Sequence, residues 1–444
     1  MKKIYQTTAM VAGMLCMLSG TSAFAGDETE IEILKRQMQE VISQNQQLTK
    51  RVAELEAGQR MASGVTSADT SVMISEAEQR SATDVQSTER SARVGESARV
   101  NRRSVIEEEV AKQLAEKGGQ SINDYVSLSG LIEGDFAAGD DFEGNNFNEF
   151  VLATVELGLD VEVNEWVRGT IIGLYEGGEE NDHIIIDEGL IEIANYKQFP
   201  MGFTVGKVYV PFGNFETNMI QDPMTLEIGE ISDFGATLSF EAAGLYGGIF
   251  AYNGMKNDGG SDVIKGYGAQ LGYAFENDSM TIDTGVSYVG NIADSGGISD
   301  FFNDDLGKET VRDQVDGLGL HAIATFGSAM VIAEYITALD DFNDASAADP
   351  EAVYTAEPSA WNVEFGVEFE VVDIHSHFAI AYQGTDEAVE LGLPESRYLA
   401  AASFEIFPAT ALTFEYFYDN DYDCGDGGTD ESANTFTTQL AYEF

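Results

Sequence analysis

Most of this chain alternates between hydrophobic and polar residues at every second position. From residue 125 onward the alternation falls into sixteen segments of about ten residues each, which we predict to be β-strands. Trp361, Val363 and Phe365 share one face of such a segment, and Asn362 and Glu364 share the other. Tilted strands of this length cross a bilayer, and an even number of them closes into a barrel. The predicted spans are 125–136, 149–163, 166–175, 184–194, 203–210, 235–244, 245–253, 265–276, 280–290, 316–327, 329–339, 359–372, 374–384, 396–406, 410–419 and 435–444.

The connections between these segments alternate in length. Short turns follow the even-numbered strands, whereas long loops, such as 211–234 and 291–315, follow the odd-numbered strands. Outer-membrane barrels have short periplasmic turns and long outer loops, so we expect both ends of the barrel on the periplasmic side. The fold class predicted for residues 121–444 is an all-β transmembrane antiparallel barrel of about sixteen strands. A soluble sandwich, with its apolar faces turned into a core, is the alternative.

The two ends of the sequence indicate export and membrane insertion. Residues 1–25 have the charged start, apolar run and small-residue ending of a signal peptide. The last predicted strand finishes on Phe444, and a terminal aromatic residue is typical of the signal bound by the bacterial barrel-assembly machinery. We therefore expect a protein of the outer membrane of a Gram-negative bacterium, in contact with its lipid.

A helical repeat precedes the predicted barrel. Residues 26–56 contain a heptad pattern, which predicts a coiled coil that joins copies of the chain through residues 31–56. Asn45 at a seam position fixes the register without choosing between dimer and trimer, and a lone amphipathic helix is the alternative. Residues 57–120 are too polar to bury a core and are predicted to be a helical or flexible linker, so the stalk lies in the periplasm.

The negative charge is concentrated in the predicted barrel. Residues 121–444 contain 8 Lys/Arg against 60 Asp/Glu, and the whole chain has a net charge of −54. A field of this sign concentrates small cations and repels nucleic acid, so we predict no DNA or RNA partner. Acidic outer loops that divalent cations bridge to lipid phosphates explain the charge equally well.

One long connection has the composition of an ordered loop. Residues 211–234 read PFGNFETNMIQDPMTLEIGEISDF, with a proline at 211 and another at 223. In sixteen-stranded porins the loop after the fifth strand folds into the lumen, and an outer loop packed on its neighbours is the alternative. The resemblance to those porins makes the following residues candidates for a constriction: Phe212, Gly213, Asn214, Phe215, Glu216, Asp222, Glu227 and Glu230.

The predicted registers add candidates on the wall of the lumen. Glu188 and Tyr209 are predicted to face inward, together with three of the scarce cations, Arg168, Lys207 and Arg397. These cations either oppose the acidic loop in a transverse field, contact an anionic solute, or form salt bridges that brace the wall.

Two patterns resemble metal sites only in part. His375 and His377 share one face of a strand, but two ligands are too few for a site. The run 419–431 has the acids of a calcium loop, but Cys424 stands where such loops have glycine. The sequence contains no pattern typical of a nucleophile–base pair, a phosphate-binding loop or a zinc motif. We therefore predict no metal site, no cofactor and no enzymatic activity.

Four stretches of the sequence carry a family resemblance: ATVELGLD (153–160), IIDEGLIEI (185–193), GKVYVPFGNFETNMI (206–220) and DPMTLEIGE (222–230). They resemble the LbtU family of siderophore porins. Members are outer-membrane proteins with an N-terminal coiled coil, associated with uptake of a ferric siderophore without the plug domain of energy-coupled receptors. The resemblance implies passive uptake of a ferric siderophore. The alternatives are a general cation-selective porin for small cationic solutes and a barrel-anchored periplasmic tether.

Overall fold

The computed structural model describes the C-terminal part of the chain. The predicted signal peptide (1–25), coiled coil (26–56) and linker (57–120) all lie outside the described residues. Within the described part, no helix is both long and apolar enough to cross a membrane. The described ranges are 125–177, 183–257, 264–277, 279–302, 310–311, 314–345, 353–372 and 374–444.

Sixteen antiparallel strands form one closed barrel, in which each strand pairs with its neighbours in sequence and the first pairs with the last. All sixteen predicted strands are confirmed, and no boundary differs by more than four residues. The strands are β1 (Val126–Asp140), β2 (Asn146–Asn164), β3 (Val167–Glu176), β4 (Ile185–Asn195), β5 (Phe199–Tyr209), β6 (Ser232–Ala242), β7 (Leu245–Tyr252), β8 (Gly266–Asn277), β9 (Met280–Val289), β10 (Gly317–Phe326), β11 (Ala329–Ala338), β12 (Ser359–Val371), β13 (Ile374–Asp386), β14 (Ser396–Phe407), β15 (Thr410–Asn420) and β16 (Ser432–Glu443).

The connections contain the remaining regular structure. Helix α1 (Met224–Gly229) follows β5, and helix α2 (Gly296–Asp300) follows β9. Residues 256–257 pair with 310–311, and residues 344–345 pair with 353–354, in two small sheets outside the barrel. Turns of two or three residues follow the even-numbered strands and longer loops follow the odd-numbered strands, as the sequence predicts.

The two faces of the barrel wall differ as the period of two requires. Apolar side chains such as Val205, Phe365 and Leu440 are exposed on the outer face, where lipid would cover them. A sandwich would bury this apolar face between two sheets, whereas this chain forms one closed sheet with the face outside. Closure also leaves no unpaired strand edge, which a membrane cannot hydrate.

A large apolar core lies inside the barrel at its long-loop end. Residues from the connection after β5 pack there against the ends of β7, β9, β11 and β12 and against the loops that follow β9, β11 and β13. Loops therefore fill one side of this end of the barrel. The largest fully buried members of the core are Phe212, Met224, Leu226, Ile228, Ile231, Tyr252, Ile292, Ile298, Phe302 and Phe342.

The seam between β1 and β16 closes the barrel. Pairing runs from Leu131 opposite Glu443 to Asp140 opposite Asn434. Beyond β16, the amide of Phe444 donates to the carbonyl of Gly130 at 3.0 Å, and the Gly130 amide returns a bond of 2.9 Å. The final residue is thus part of the closing ladder.

A β-carbon on one seam glycine would disturb this closure. At Gly139 it would lie 2.0 Å from the backbone oxygen of Asn434, whereas at Gly134, on the same strand, it would meet nothing within 4 Å. We expect Gly139→Ala to lower the free energy of unfolding by about 1 to 3 kcal/mol, because the two strands must separate to admit the methyl group. Urea unfolding in lipid vesicles measures the effect. Gly134→Ala is the matched control, and equal midpoints for the two variants would contradict the prediction.

Candidate functional site: a strap across the lumen

Residues 210–231, between β5 and β6, cross the interior of the barrel; we call this segment the strap. It leaves the end of β5 and turns through left-handed backbone at Gly213 and Phe215, with φ of 79° and 59°. The amide of Gly213 then donates to Ser287 Oγ on β9 at 3.0 Å. Since Gly213 is bonded to a strand far from β5 and β6, the strap lies within the lumen.

The first anchor of the strap is Glu334, a buried carboxylate on β11. Its oxygens accept hydrogen bonds from Asn214 N at 2.6 Å, from Phe215 N at 3.1 Å and from Thr225 Oγ1 at 2.8 Å. Hydrogen bonds to a charged acceptor are stronger than neutral ones, and burial raises the cost of leaving either partner unpaired. Glu334 therefore holds two separate parts of the strap to one wall strand.

Two further wall carboxylates continue the series around the barrel. Glu364 on β12 accepts hydrogen bonds from Thr217 Oγ1 and Asn218 N, both at 2.8 Å. Glu415 on β15 accepts a bond of 2.9 Å from Gln221 N and another from the preceding amide. Both glutamates are 1% exposed. The strap is therefore bonded in sequence order to β11, β12 and β15, on the side of the barrel opposite its origin.

Helix α1 forms the apolar part of the strap. Its Met224, Leu226 and Ile228 side chains are buried in the core at the long-loop end. The amide of Met224 donates to Gln383 Oε1 on β13 at 3.2 Å. At the other end, the carbonyl of Glu230 accepts a bond of 2.9 Å from Gly296 N in the loop after β9. The helix is thus fixed both to the wall and to a neighbouring loop.

The strap contains the residues of 211–234 that the sequence analysis predicted for a constriction. Phe212 and Phe215 are buried apolar side chains, and Glu216 and Asp222 are buried carboxylates. Asn214 Oδ1 accepts a bond from the Glu216 amide at 3.3 Å, which shapes the strap locally. Glu227 and Glu230 lie in and just after α1.

Two of the three predicted wall cations, Arg397 and Arg168, form ion pairs with carboxylates of neighbouring strands. Arg397 on β14 is 3% exposed and forms a two-pronged ion pair with Asp419, at 2.7 and 2.8 Å. Its guanidinium carbon also lies 4.7 Å from the centroid of the Phe417 ring. Arg168 pairs with Glu162 at 2.6 Å, and both side chains are about half exposed. Exposed pairs of this kind contribute little to stability, and both arginines already have a carboxylate partner.

The prediction that Lys207 faces the lumen is wrong. Its directly opposed partner on β6 is Phe234, and two residues earlier Val205 is exposed on the lipid face. Opposed residues share a face, and so do residues two apart in a strand. Lys207 therefore lies on the outer face near the long-loop end, where its Nζ donates to the carbonyl of Ile186 at 2.9 Å. Tyr209, the last residue of β5, departs from this alternation, because it lines the cavity inside the barrel. A long cationic side chain there extends toward the polar rim rather than into the pore.

An open cavity of about 300 Å³ lies between the start of the strap and strands β7–β9. Tyr246 on β7 donates to Asp283 Oδ1 on β9 at 2.6 Å, and His321 Nε2 lies 3.2 Å from the same hydroxyl. Tyr209 at the end of β5 donates to Asp187 Oδ1, also at 2.6 Å. Glu188 on β4 lies opposite the buried Ile172 and shares its inward face. The cavity is lined by Tyr209, Val210, Pro211, Phe212, Gly213, Asn214, Phe215, Glu230, Tyr246, Gln270 and Asp283.

The two glutamates at the end of the strap have raised pKa values. Burial raises the pKa of Glu227 to about 7; the Arg397 guanidinium opposes this shift and the Asp300 carboxyl adds to it. Burial, followed by the Asp222 and Asp187 carboxyls, raises the pKa of Glu230 well above its ordinary range. Both groups therefore take up protons at pH values where an exposed glutamate is fully ionised.

The partial metal motifs have structural partners of their own. His375 and His377 lie on β13 opposite Glu370 and Glu368. In the loop after β15, Asp421 Oδ2 accepts bonds from the amide and hydroxyl of Thr429, at 2.8 and 2.7 Å, and so organises the loop itself. Among the described residues, no group of three His, Cys, Asp or Glu side chains is placed to hold a metal ion.

Sequence reasoning missed several residues that shape this site. Glu334 and Glu415 anchor the strap, and Tyr246, Gln270 and Asp283 line the cavity. A usable signal exists for Glu334, which is the only charged residue in the otherwise apolar strand AMVIAEYITA. A lone carboxylate on the inward face of such a strand indicates a specific partner inside the barrel.

The closed sixteen-stranded barrel, with the loop after the fifth strand folded inside, has the fold of the porins. Two of the solved structures that share this fold serve as examples. OprB of Pseudomonas putida matches with a TM-score of 0.51 and 9% identity, over 76% of this chain and 96% of that chain. An anion-selective porin from Comamonas acidovorans matches with a TM-score of 0.50 and 11% identity, over 72% and 99%.

At the sequence level, the chain is similar to proteins designated UPF0422. It is 30% identical over 306 residues to one from Coxiella burnetii, which covers 67% of this chain and 64% of that protein. It is 25% identical over 362 residues to one from Legionella pneumophila, covering 72% and 66%. The chain thus spans less than two thirds of the length of these relatives. No protein-family model matches it.

Removal of the first anchor tests how the strap is held. In Glu334→Ala, the amides of Asn214 and Phe215 lose their acceptor, so we expect their hydrogen exchange to become at least about tenfold faster. Mass spectrometry of peptides spanning 210–223 measures this. Glu405→Ala, a carboxylate on β14 opposite Ala411, is the control and should leave exchange unchanged. Full protection in Glu334→Ala would show that the anchor is dispensable.

Glu227 should make the stability of the protein depend on pH. Because its pKa is about 7 in the folded protein and near 4.5 when exposed, its neutral form favours folding at low pH. This contribution is lost as pH rises through 7. We expect Glu227→Gln to be more stable than the native chain at pH 8 by roughly 1 to 3 kcal/mol, with the difference vanishing near pH 4.5. Urea unfolding at several pH values tests this, with Glu405→Gln as the control.

Proposed function

We propose that this protein is a passive, water-filled channel of the bacterial outer membrane. The observation that carries the proposal is the strap, which narrows the lumen but leaves an open, polar cavity beside it. An interior packed solely for stability would have no need of carboxylates and tyrosine hydroxyls around open space. The shared fold with porins supports the same interpretation.

The outer surface of the barrel supports a membrane location. Near the long-loop end, Trp361, Tyr382 and Tyr398 form a ladder with ring centroids 4.6 Å apart. Aromatic residues of this kind concentrate at the two interfaces of a membrane, above and below an apolar band. In this proposal the long loops face the outside, and the segment before the barrel lies in the periplasm.

We infer that the channel prefers cations. Glu230 and Asp283 line the cavity, whereas Arg168 and Arg397 are each paired with a carboxylate and Lys207 lies on the outer face. A narrow passage lined by one sign of charge concentrates ions of the opposite sign. Cations or neutral hydrophilic solutes should therefore pass more readily than anions.

A ferric siderophore is a second, more specific cargo. The stretches that resemble the siderophore porins, 206–220 and 222–230, coincide with the end of β5 and with the strap. The residues behind the resemblance are thus the ones that shape the constriction. The acidic lining favours a cationic or neutral ferric complex over a polycarboxylate one.

Residues 31–56 enter this proposal as a coiled coil that joins copies of the barrel. If the protein is instead mainly a periplasmic tether, deletion of residues 27–117 should abolish its cellular role and leave conductance intact. The same deletion in a channel should change assembly and preserve uptake.

Planar-bilayer recording of the refolded protein tests the proposed function. Under a tenfold KCl gradient, we expect open channels whose reversal potential lies close to the equilibrium potential of K⁺. Ferrioxamine B, a cationic ferric hydroxamate, should give saturable block if siderophores are the cargo, and an anionic ferric catecholate should give less. Cation selectivity without block would favour a general porin. Anion selectivity, or no conductance, would refute the proposal.

A further inference from the structure

We propose that the cavity between the strap and strands β7–β9 is a saturable binding site for an organic amine, a ligand with N–H groups on a cationic nitrogen. This inference rests on the proposed function and deepens it, because it names a solute class that pauses in the passage. Its basis is a cavity of about 300 Å³ whose lining includes the carboxylates Glu230 and Asp283 and the tyrosines Tyr209 and Tyr246. That volume is at the lower end for small-molecule sites, so a compact amine fits it.

The two carboxylates approach the cavity from different elements. Glu230 comes from the C-terminal end of α1 in the strap, and Asp283 from the wall on β9. Glu230 Oε2 is shielded from bulk water and has no hydrogen-bond partner among the described residues. Because that oxygen is out of reach of a ligand, the contact falls to the partly exposed remainder of Glu230 in the cavity lining, where a cationic N–H would offset the cost of the buried negative charge.

The tyrosines favour an organic cation over a bare ion. Tyr246 and Tyr209 already donate their hydroxyl protons to Asp283 and Asp187, which fixes both phenols. The Tyr209 oxygen can then accept an N–H, whereas the Tyr246 oxygen already lies 3.2 Å from His321 Nε2. The electron-rich face of a tyrosine ring also attracts positive charge. Gln270 adds an amide to the same lining. A metal ion, by contrast, needs several converging ligands, and the described residues offer no such group.

Protonation of Glu230 should compete with the amine. Burial, then the Asp222, Asp187, Glu227 and Glu176 carboxyls, raise the pKa of Glu230, so the group tends to hold a proton when no cation is near. A bound ammonium favours the ionised form and displaces that proton. The groups lining the cavity from the wall are Tyr209, Tyr246 and Asp283, with His321 behind Tyr246. Binding should therefore strengthen as pH rises and Glu230 loses its proton.

Single-channel block by butane-1,4-diamine tests the site, with Mg²⁺ as a probe of equal charge that has no N–H groups. We expect the diamine to block saturably and at a concentration at least tenfold lower than Mg²⁺. Glu230→Gln and Asp283→Asn should each raise the half-blocking concentration at least tenfold. Glu405→Gln removes one carboxylate from β14, away from the cavity lining, and should leave the block unchanged. Heat-modifiable gel mobility verifies that each variant is folded.

The outcomes separate this inference from the proposed function. A cation-selective conductance without saturable diamine block, equal block by Mg²⁺, or equal block in all variants would overturn the amine site and leave the channel intact. If no conductance is seen, the channel proposal fails. Calorimetric titration of the diamine into the protein in detergent micelles then tests the amine site independently of conductance. Saturable heat that Glu230→Gln abolishes supports the site, and its absence in the native chain refutes it.

Discussion

The structure depends on how a segment of backbone crosses the inside of a β-barrel. Each amide that leaves the wall needs an acceptor, and an apolar interior would provide none. Here the acceptors are Glu334, Glu364 and Glu415, which meet successive amides of the strap from β11, β12 and β15. Without these carboxylates, the buried amides of the strap would lack acceptors and its position across the lumen would be destabilised. The position of the strap determines where the cavity stays open. It also buries Glu227 and Glu230, whose pKa values are raised.

The strands could be predicted from sequence because the alternation of apolar and polar residues is local. It arises because one face of the wall contacts lipid and the other faces the interior of the barrel. The contacts of the strap could not, because each anchor lies more than 100 residues from the amides that it binds. Local composition identified the loop, and the resemblance to porins suggested that it folds inward. Neither identified its acceptors, since the pairing depends on which strands face each other after the barrel closes.

The error at Lys207 has a specific physical cause. The predicted register placed Lys207 on the lumen face, but Phe203 and Val205, which share the face of Lys207, are exposed on the lipid side. Near the rim a lysine can occupy the lipid face, because its flexible stem stays in apolar surroundings while the ammonium reaches a backbone carbonyl. At Lys207, the alternation of faces along the strand predicts the orientation of the side chain better than its polarity does.

The same structure sets the electrostatics of the passage. The strap is hydrogen-bonded to β11, β12 and β15, and Arg397 on β14 is ion-paired with Asp419 on β15. The open cavity lies between the strap and β7–β9, and its lining contains Glu230 of the strap and Asp283 of the wall. Burial, followed by nearby carboxyls, raises the pKa of Glu230, so in the proposed channel a cationic solute would compete with the proton that this group takes up. If the proposed channel prefers cations, the preference would thus come from buried carboxylates that a positively charged solute neutralises.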